Sequence, residues 1–182
     1  DVIDRVEILR NNRVIFRDHP VDNVVRESSW KLPILSRVEF GWGPWSGVGL
    51  GRVCDWRFKI TIDKGKFISA TPCFQAAPFD ENRRNRIVMI NDSTFEVISH
   101  TSRIDAQKGS ATNGVVLEID GTPETELSIT LTQPVEASIR KSLGELAQSS
   151  DVLHTGLFGS ESMLIHRNAF ANNYMTNFEF TD

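Results

Sequence analysis

Residues 56 to 62 read Trp-Arg-Phe-Lys-Ile-Thr-Ile, with an apolar side chain at every second position and a polar one between. Successive side chains of a β-strand point to opposite sides, whereas a helix brings apolar residues to one face at spacings of three and four. A period of two therefore specifies a half-buried strand. Trp56, Phe58, Ile60 and Ile62 are expected on one buried face, with Arg57, Lys59 and Thr61 in solvent. A slip of one residue would bury Arg57 and Lys59 at a cost of roughly several kcal/mol each unless they were paired, so the pattern also sets the register.

The same signature recurs along the chain and predicts four hairpins. Arg5 to Arg10 and Arg13 to Arg17 flank Asn11-Asn12, a residue type that tolerates the positive φ of a two-residue hairpin turn. Trp56 to Ile62 turns through Asp63-Lys64-Gly65 into Lys66 to Ser69. Ile87 to Ile90 and Thr94 to Ser99 flank Asn91-Asp92-Ser93, whose side chains bond their own backbone in turns. Val115-Leu117-Ile119 and Leu127-Ile129-Leu131 flank Asp120-Gly121-Thr122-Pro123. Alternation at Val135, Ala137 and Ile139 predicts a strand that leads into one helical turn near 142–148, where Leu143, Leu146 and Ala147 share a face. Further strands are expected at Met163 to His166 and Tyr174 to Phe180. The sum is an all-β chain, an antiparallel β-sandwich of roughly ten strands forming a single domain over residues 1–182.

Hydrophobic residues at 40% and charged residues at 24% are enough for a packed core. The net charge of -4 provides no positive field for nucleic acid or an anionic membrane, so neither is an expected partner. No apolar run approaches the roughly 18 residues that cross a bilayer. Cys54 and Cys73 are too few for a disulfide framework or a zinc cluster and are expected as buried free thiols.

Chemistry-bearing residues are sparse. His19, His100, His154 and His166 stand far apart and form no paired-ligand motif, so no metal, cofactor or catalytic residue is assigned. Gly47-Val48-Gly49-Leu50-Gly51 is followed by Arg52 and a strand, not by the helix N-terminus a pyrophosphate needs. Gly159-Ser160-Glu161-Ser162 lacks the closing glycine of a nucleophile elbow. Two segments carry ligand-binding expectations. Arg83, Arg84 and Arg86 could grip a phosphate or carboxylate in bidentate fashion, or could line a solvated loop beside Asp80 and Glu81. Trp42, Trp45 and Trp56, among glycines, could stack on sugar rings, or large aromatics there could plug the open end of the core.

The run from Asp4 to Ile15 resembles a strand-turn-strand found in β-rich C-terminal regions of bacterial proteins that look like relatives of PHP-type metal-dependent hydrolases. Phe40-Gly41-Trp42-Gly43, Trp45-Ser46-Gly47, Ser142-Leu143-Gly144-Glu145-Leu146 and the closing Phe178-Glu179-Phe180-Thr181-Asp182 are similar to the same tails. The resemblance implies a C-terminal accessory domain whose metal-binding histidines and acids belong to the preceding domain, so no catalytic residue is carried over. A start at Asp1-Val2-Ile3-Asp4, without Met and almost at once strand-like, agrees with a domain cut from the C-terminal part of a longer protein.

The expected function is a non-catalytic accessory or interaction domain that docks on the preceding domain of its own polypeptide or on itself. The alternatives are a carbohydrate- or ligand-binding module using exposed tryptophans, and an enzyme whose site is assembled from scattered residues such as His100, Asp105, His154 and His166.

Overall fold

The computed structural model describes residues 5–26, 30–42, 53–74, 85–102, 112–156 and 161–171. Strands β1 (Val6–Arg10) and β2 (Arg13–Asp18) form the expected N-terminal hairpin and a two-stranded sheet of their own. Asn11 and Asn12 take φ of 51° and 62°, the left-handed pair that a two-residue primed turn requires. A 3-10 turn (Pro20–Asp22) and a short helix α1 (Asn23–Arg26) follow.

The next strands are β3 (Ile34–Trp42), β4 (Val53–Ile62), β5 (Lys66–Cys73), β6 (Arg86–Asn91), β7 (Thr94–Ser102), β8 (Thr112–Asp120) and β9 (Glu126–Gln133). After them come β10 (Ala137–Ser142), helix α2 (Leu143–Gln148), β11 (Asp151–His154), β12 (Glu161–Ile165) and β13 (Ala169–Phe170). They build two antiparallel sheets, one ordered β10-β9-β4-β7-β6 and the other β11-β12-β3-β8-β5 with β13 also on β3.

The sheets face each other across one core. Phe40 of β3 lies against Trp56 and Phe58 of β4 with ring centroids 5.3 and 5.1 Å apart, and Phe67 of β5 meets Phe95 of β7 at 4.9 Å. Each contact joins opposite sheets, and Leu117, Ile119, Ile129 and Leu131 fill the space between them. The chain is an all-β sandwich. Along β4 the even-numbered residues are buried while Arg57 and Lys59 are exposed, as the alternation requires. Thr61 is intermediate.

Two of the four expected hairpins are arches between sheets. β4 pairs with β7 and β9, whereas β5 pairs with β8; likewise β8 pairs with β3 and β5, whereas β9 pairs with β4 and β10. An arch turns both apolar faces inward just as a hairpin in one sheet would, so a period-two pattern fits either. Thr125, fully buried, fastens the arches together: its Oγ1 donates to the Lys64 carbonyl at 2.9 Å and accepts from the Thr122 N–H at 3.0 Å.

The helical turn at 142–148 is present as α2. Ser142 caps it, its Oγ accepting from the Glu145 N–H at 3.1 Å while the Glu145 carboxylate accepts from the Ser142 N–H at 2.8 Å. The alternation did not point to β3, β11 or β13. Fully buried Ser36 interrupts the apolar series Ile34, Val38 and Phe40 and masks the pattern of β3. Cys54 is buried, but Cys73 is exposed, a correction to the expected buried pair. It ends edge strand β5 opposite Gly114, which has no side chain to cover it. The stretch Tyr174 to Phe180 lies outside the described residues.

Because neighbouring strands are antiparallel, the sandwich has two unlike ends. At one, Asp63–Gly65, Asp92–Ser93 and residues 121–125 make short turns. At the other lie the strand ends that flank residues 43–52, 75–84, 103–111 and 157–160.

Candidate functional site

Of the aromatic and arginine candidates, Trp56 and Arg86 have described side chains, and these two do not meet. Trp56 is 0% exposed, packs on Phe40, and donates its indole N–H to Thr101 Oγ1 at 2.8 Å. This overturns Trp56 as a sugar-stacking platform: it shares the inward face with Phe58 and Ile60, and its polar edge is satisfied inside the protein. Trp42 ends β3 opposite Glu161, and its side chain lies outside the description. Trp45, Arg83 and Arg84 lie outside the described residues. Arg86 opens edge strand β6 of the same sheet as Trp56, in register with Ile98 and exposed, whereas Trp56 points into the core.

A polar layer lies at the same end of the core. Asn113 Nδ2 donates to Ser99 Oγ and to the His100 carbonyl, both at 2.9 Å. Ser99 Oγ donates in turn to Asn85 Oδ1 at 2.6 Å, which also accepts from the His100 N–H at 3.2 Å. Ser99, Thr101 and Asn113 are all buried. These bonds tie β7 of one sheet to β8 of the other and hold the strand ends in place.

The histidines do not form a joint site. His100 lies on β7 in register with Asp55, while His154 ends β11 of the opposite sheet, and Asp105 is outside the described residues. His166 follows β12 and instead meets Glu39 of β3, a residue that no sequence pattern singled out. Its Nε2 lies 2.9 Å from Glu39 Oε2, Arg37 Nη2 lies 3.1 Å from the same oxygen, and Thr112 Oγ1 donates to Oε1 at 2.7 Å. Foremost the His166 hydrogen bond, then Thr112 and the charge of Arg37, bring the Glu39 carboxyl down to about 2 against the opposing effect of burial. A carboxylate that weakly basic is a poor general base near neutral pH, and both its oxygens are engaged. Glu39 works as a fastener of β3, β8 and the end of β12.

The N-terminal hairpin differs from the rest of the surface. Leu9, Val14 and Ile15 are 56%, 43% and 48% exposed, and Val14, Ile15, Phe16 and Arg17 line a shallow depression. Leu9 and Val14 are cross-strand partners, so their side chains make one continuous apolar surface. Arg17 Nε lies 2.7 Å and Arg5 Nε 3.6 Å from Glu7 Oε1. At the tip Arg10 stands directly opposite Arg13. Like charges placed so destabilise a strand pair unless a counter-charge is supplied. Composition could have revealed this surface, since Arg5, Arg10, Arg13 and Arg17 outnumber Glu7 and Asp18 in a chain that is acidic overall.

Among the described residues no three His, Cys, Asp or Glu side chains gather as metal ligands. No protein family, curated protein or solved structure matches the chain.

Proposed function

We propose that this chain is a non-catalytic interaction domain whose β1–β2 hairpin docks on a neighbouring domain of the same polypeptide. The observation that carries the reading is the apolar surface of Leu9 and Val14, with exposed Ile15 next to it in sequence, on a hairpin that forms its own sheet. A lone two-stranded hairpin is marginal in water, and apolar side chains left in solvent forgo roughly 1.5–3 kcal/mol apiece that burial would provide. The partner surface is apolar at its centre and carries carboxylates at its edge to meet Arg10 and Arg13. The resemblance of Asp4 to Ile15 to tails that follow a hydrolase-like domain supports a partner in the same chain.

The test places a photo-crosslinking p-benzoylphenylalanine at Val14 in the natural full-length protein. Crosslinks to an acidic surface outside residues 1–182, lost in a Leu9→Lys/Ile15→Lys background, are the expected result. Crosslinks confined to residues 1–182 of the same or a second copy overturn it.

A further inference from the structure

The two arches meet at the short-turn end and leave a wide, open cleft of about 460 Å³. Gly65 and Gly121 bring backbone to its surface. A Cβ on Gly65 would come within 2.8 Å of the Asp120 carbonyl oxygen, and one on Gly121 within 2.8 Å of Thr125 Oγ1, so the close stacking of the arches excludes side chains there. Trp30 forms one wall. Its indole N–H donates to the Val24 carbonyl at 3.1 Å and its ring stands edge-on to Phe170, centroids 6.3 Å apart, which fixes the ring's orientation.

The remaining groups around the cleft are polar and balanced in charge. Lys66 Nζ lies 3.6 Å from Asp120 Oδ2, each side chain 63% exposed. Lys64 stands near Glu124, whose Oε2 accepts from Thr122 Oγ1 at 2.8 Å. Lys64, Lys66 and Asp120 line the cleft, and the charge of Glu124 beside it offsets the extra lysine, so the local field is close to neutral. A fixed aromatic wall with donors and acceptors beside it suits a neutral ligand with an apolar face and a hydroxyl-bearing rim.

We infer that this cleft binds a neutral pyranose ring, its C–H face on Trp30 and its hydroxyls shared between the Lys66–Asp120 pair and Lys64. The site is separate from the hairpin and uses the one tryptophan that the sequence reading left out.

The probes are gluco-, manno- and xylo-hexaose, with an acidic hexagalacturonide as control, titrated into the 182-residue chain and followed by calorimetry and backbone NMR shifts. At least one neutral probe is expected to bind and to shift the amides of Lys64 to Lys66 and Gly121 to Thr122. Asp120→Ala and Lys66→Ala, on exposed side chains, should each weaken that binding about tenfold while leaving the melting temperature in place. Trp30→Phe should weaken it less than Trp30→Ala, whose fold is checked by the dispersion of its NMR spectrum. The Leu9→Lys/Ile15→Lys protein should bind as the parent does, which separates this site from the docking surface. No binding by any neutral probe at millimolar concentration, a preference for hexagalacturonide, or binding indifferent to Asp120→Ala and Lys66→Ala overturns the assignment.

Discussion

Glu39 shows how one residue can tie a sheet together without itself doing chemistry. Its carboxylate accepts from Thr112, lies against Arg37 and meets His166, so three strands depend on its staying ionised. Its pKa of about 2 in the fold lies below that of an ordinary glutamate, so the folded state binds this proton less readily than the unfolded chain does. The resulting stability is fully present above about pH 4.5 and is lost as the pH falls toward 2. Because the side chain is partly exposed, about 1 to 2 kcal/mol is the appropriate scale after solvent screening. Glu39→Gln should therefore melt below the parent at pH 6, with the gap narrowing as both are titrated toward pH 2. A gap that stays constant over that range would show that the charge of Glu39 contributes nothing.

At the scale of elements, β4 shows both what the sequence discloses and where it falls silent. The alternation from Trp56 to Ile62 identified the strand and its buried face because burial of every second side chain leaves a direct trace in composition. Phe58 is 1% exposed and packs on Phe40, so Phe58→Ala should cost roughly 3 to 5 kcal/mol through lost transfer energy and the cavity left behind. Thr61→Ala removes only a long 3.5 Å hydrogen bond to the Ser128 carbonyl and should cost under about 0.5 kcal/mol. Denaturant midpoints of the two variants measure the contrast, and equal losses would contradict the assignment of faces. What alternation could not reveal is the sheet in which the next strand lies. Asp63–Gly65 and Asp120–Pro123 carry the turn residues of hairpins, yet each crosses the core, because the hydrogen-bond partners of β4 and β8 come from strands remote in sequence. The sites were less legible for a related reason. Trp56 has the residue type of a stacking platform but the position of a core residue, and position prevailed. Trp30, outside any motif, gains its role only when two distant turns are folded beside it.

At the scale of the whole molecule, the arches join the two large sheets into one unit while β1 and β2 form a sheet of their own. A strand of an arch cannot leave its sheet without dragging its partner from the other, and the Asn113–Ser99 and Thr125–Lys64 bonds fasten the crossings near the two ends of the core. The central strands β4 and β8 should thus lose their amide protection only by global opening, at a cost of about 5 to 15 kcal/mol. The ladder of β1 is with β2 alone, and the exposed Leu9, Val14 and Ile15 gain little from the core, so the hairpin should open at lower cost. Hydrogen exchange on the isolated chain is expected to show the β1–β2 amides protected at least about a hundredfold less than those of β4 and β8. If the hairpin docks as proposed, the partner should raise the protection of β1 and β2 while β4 and β8 stay as they are, since binding stabilises only the element it touches when the core is already closed. Hairpin amides as slow as those of β4 in the isolated chain would mean that the hairpin belongs to the core, and the case for a docking partner would lose its physical ground.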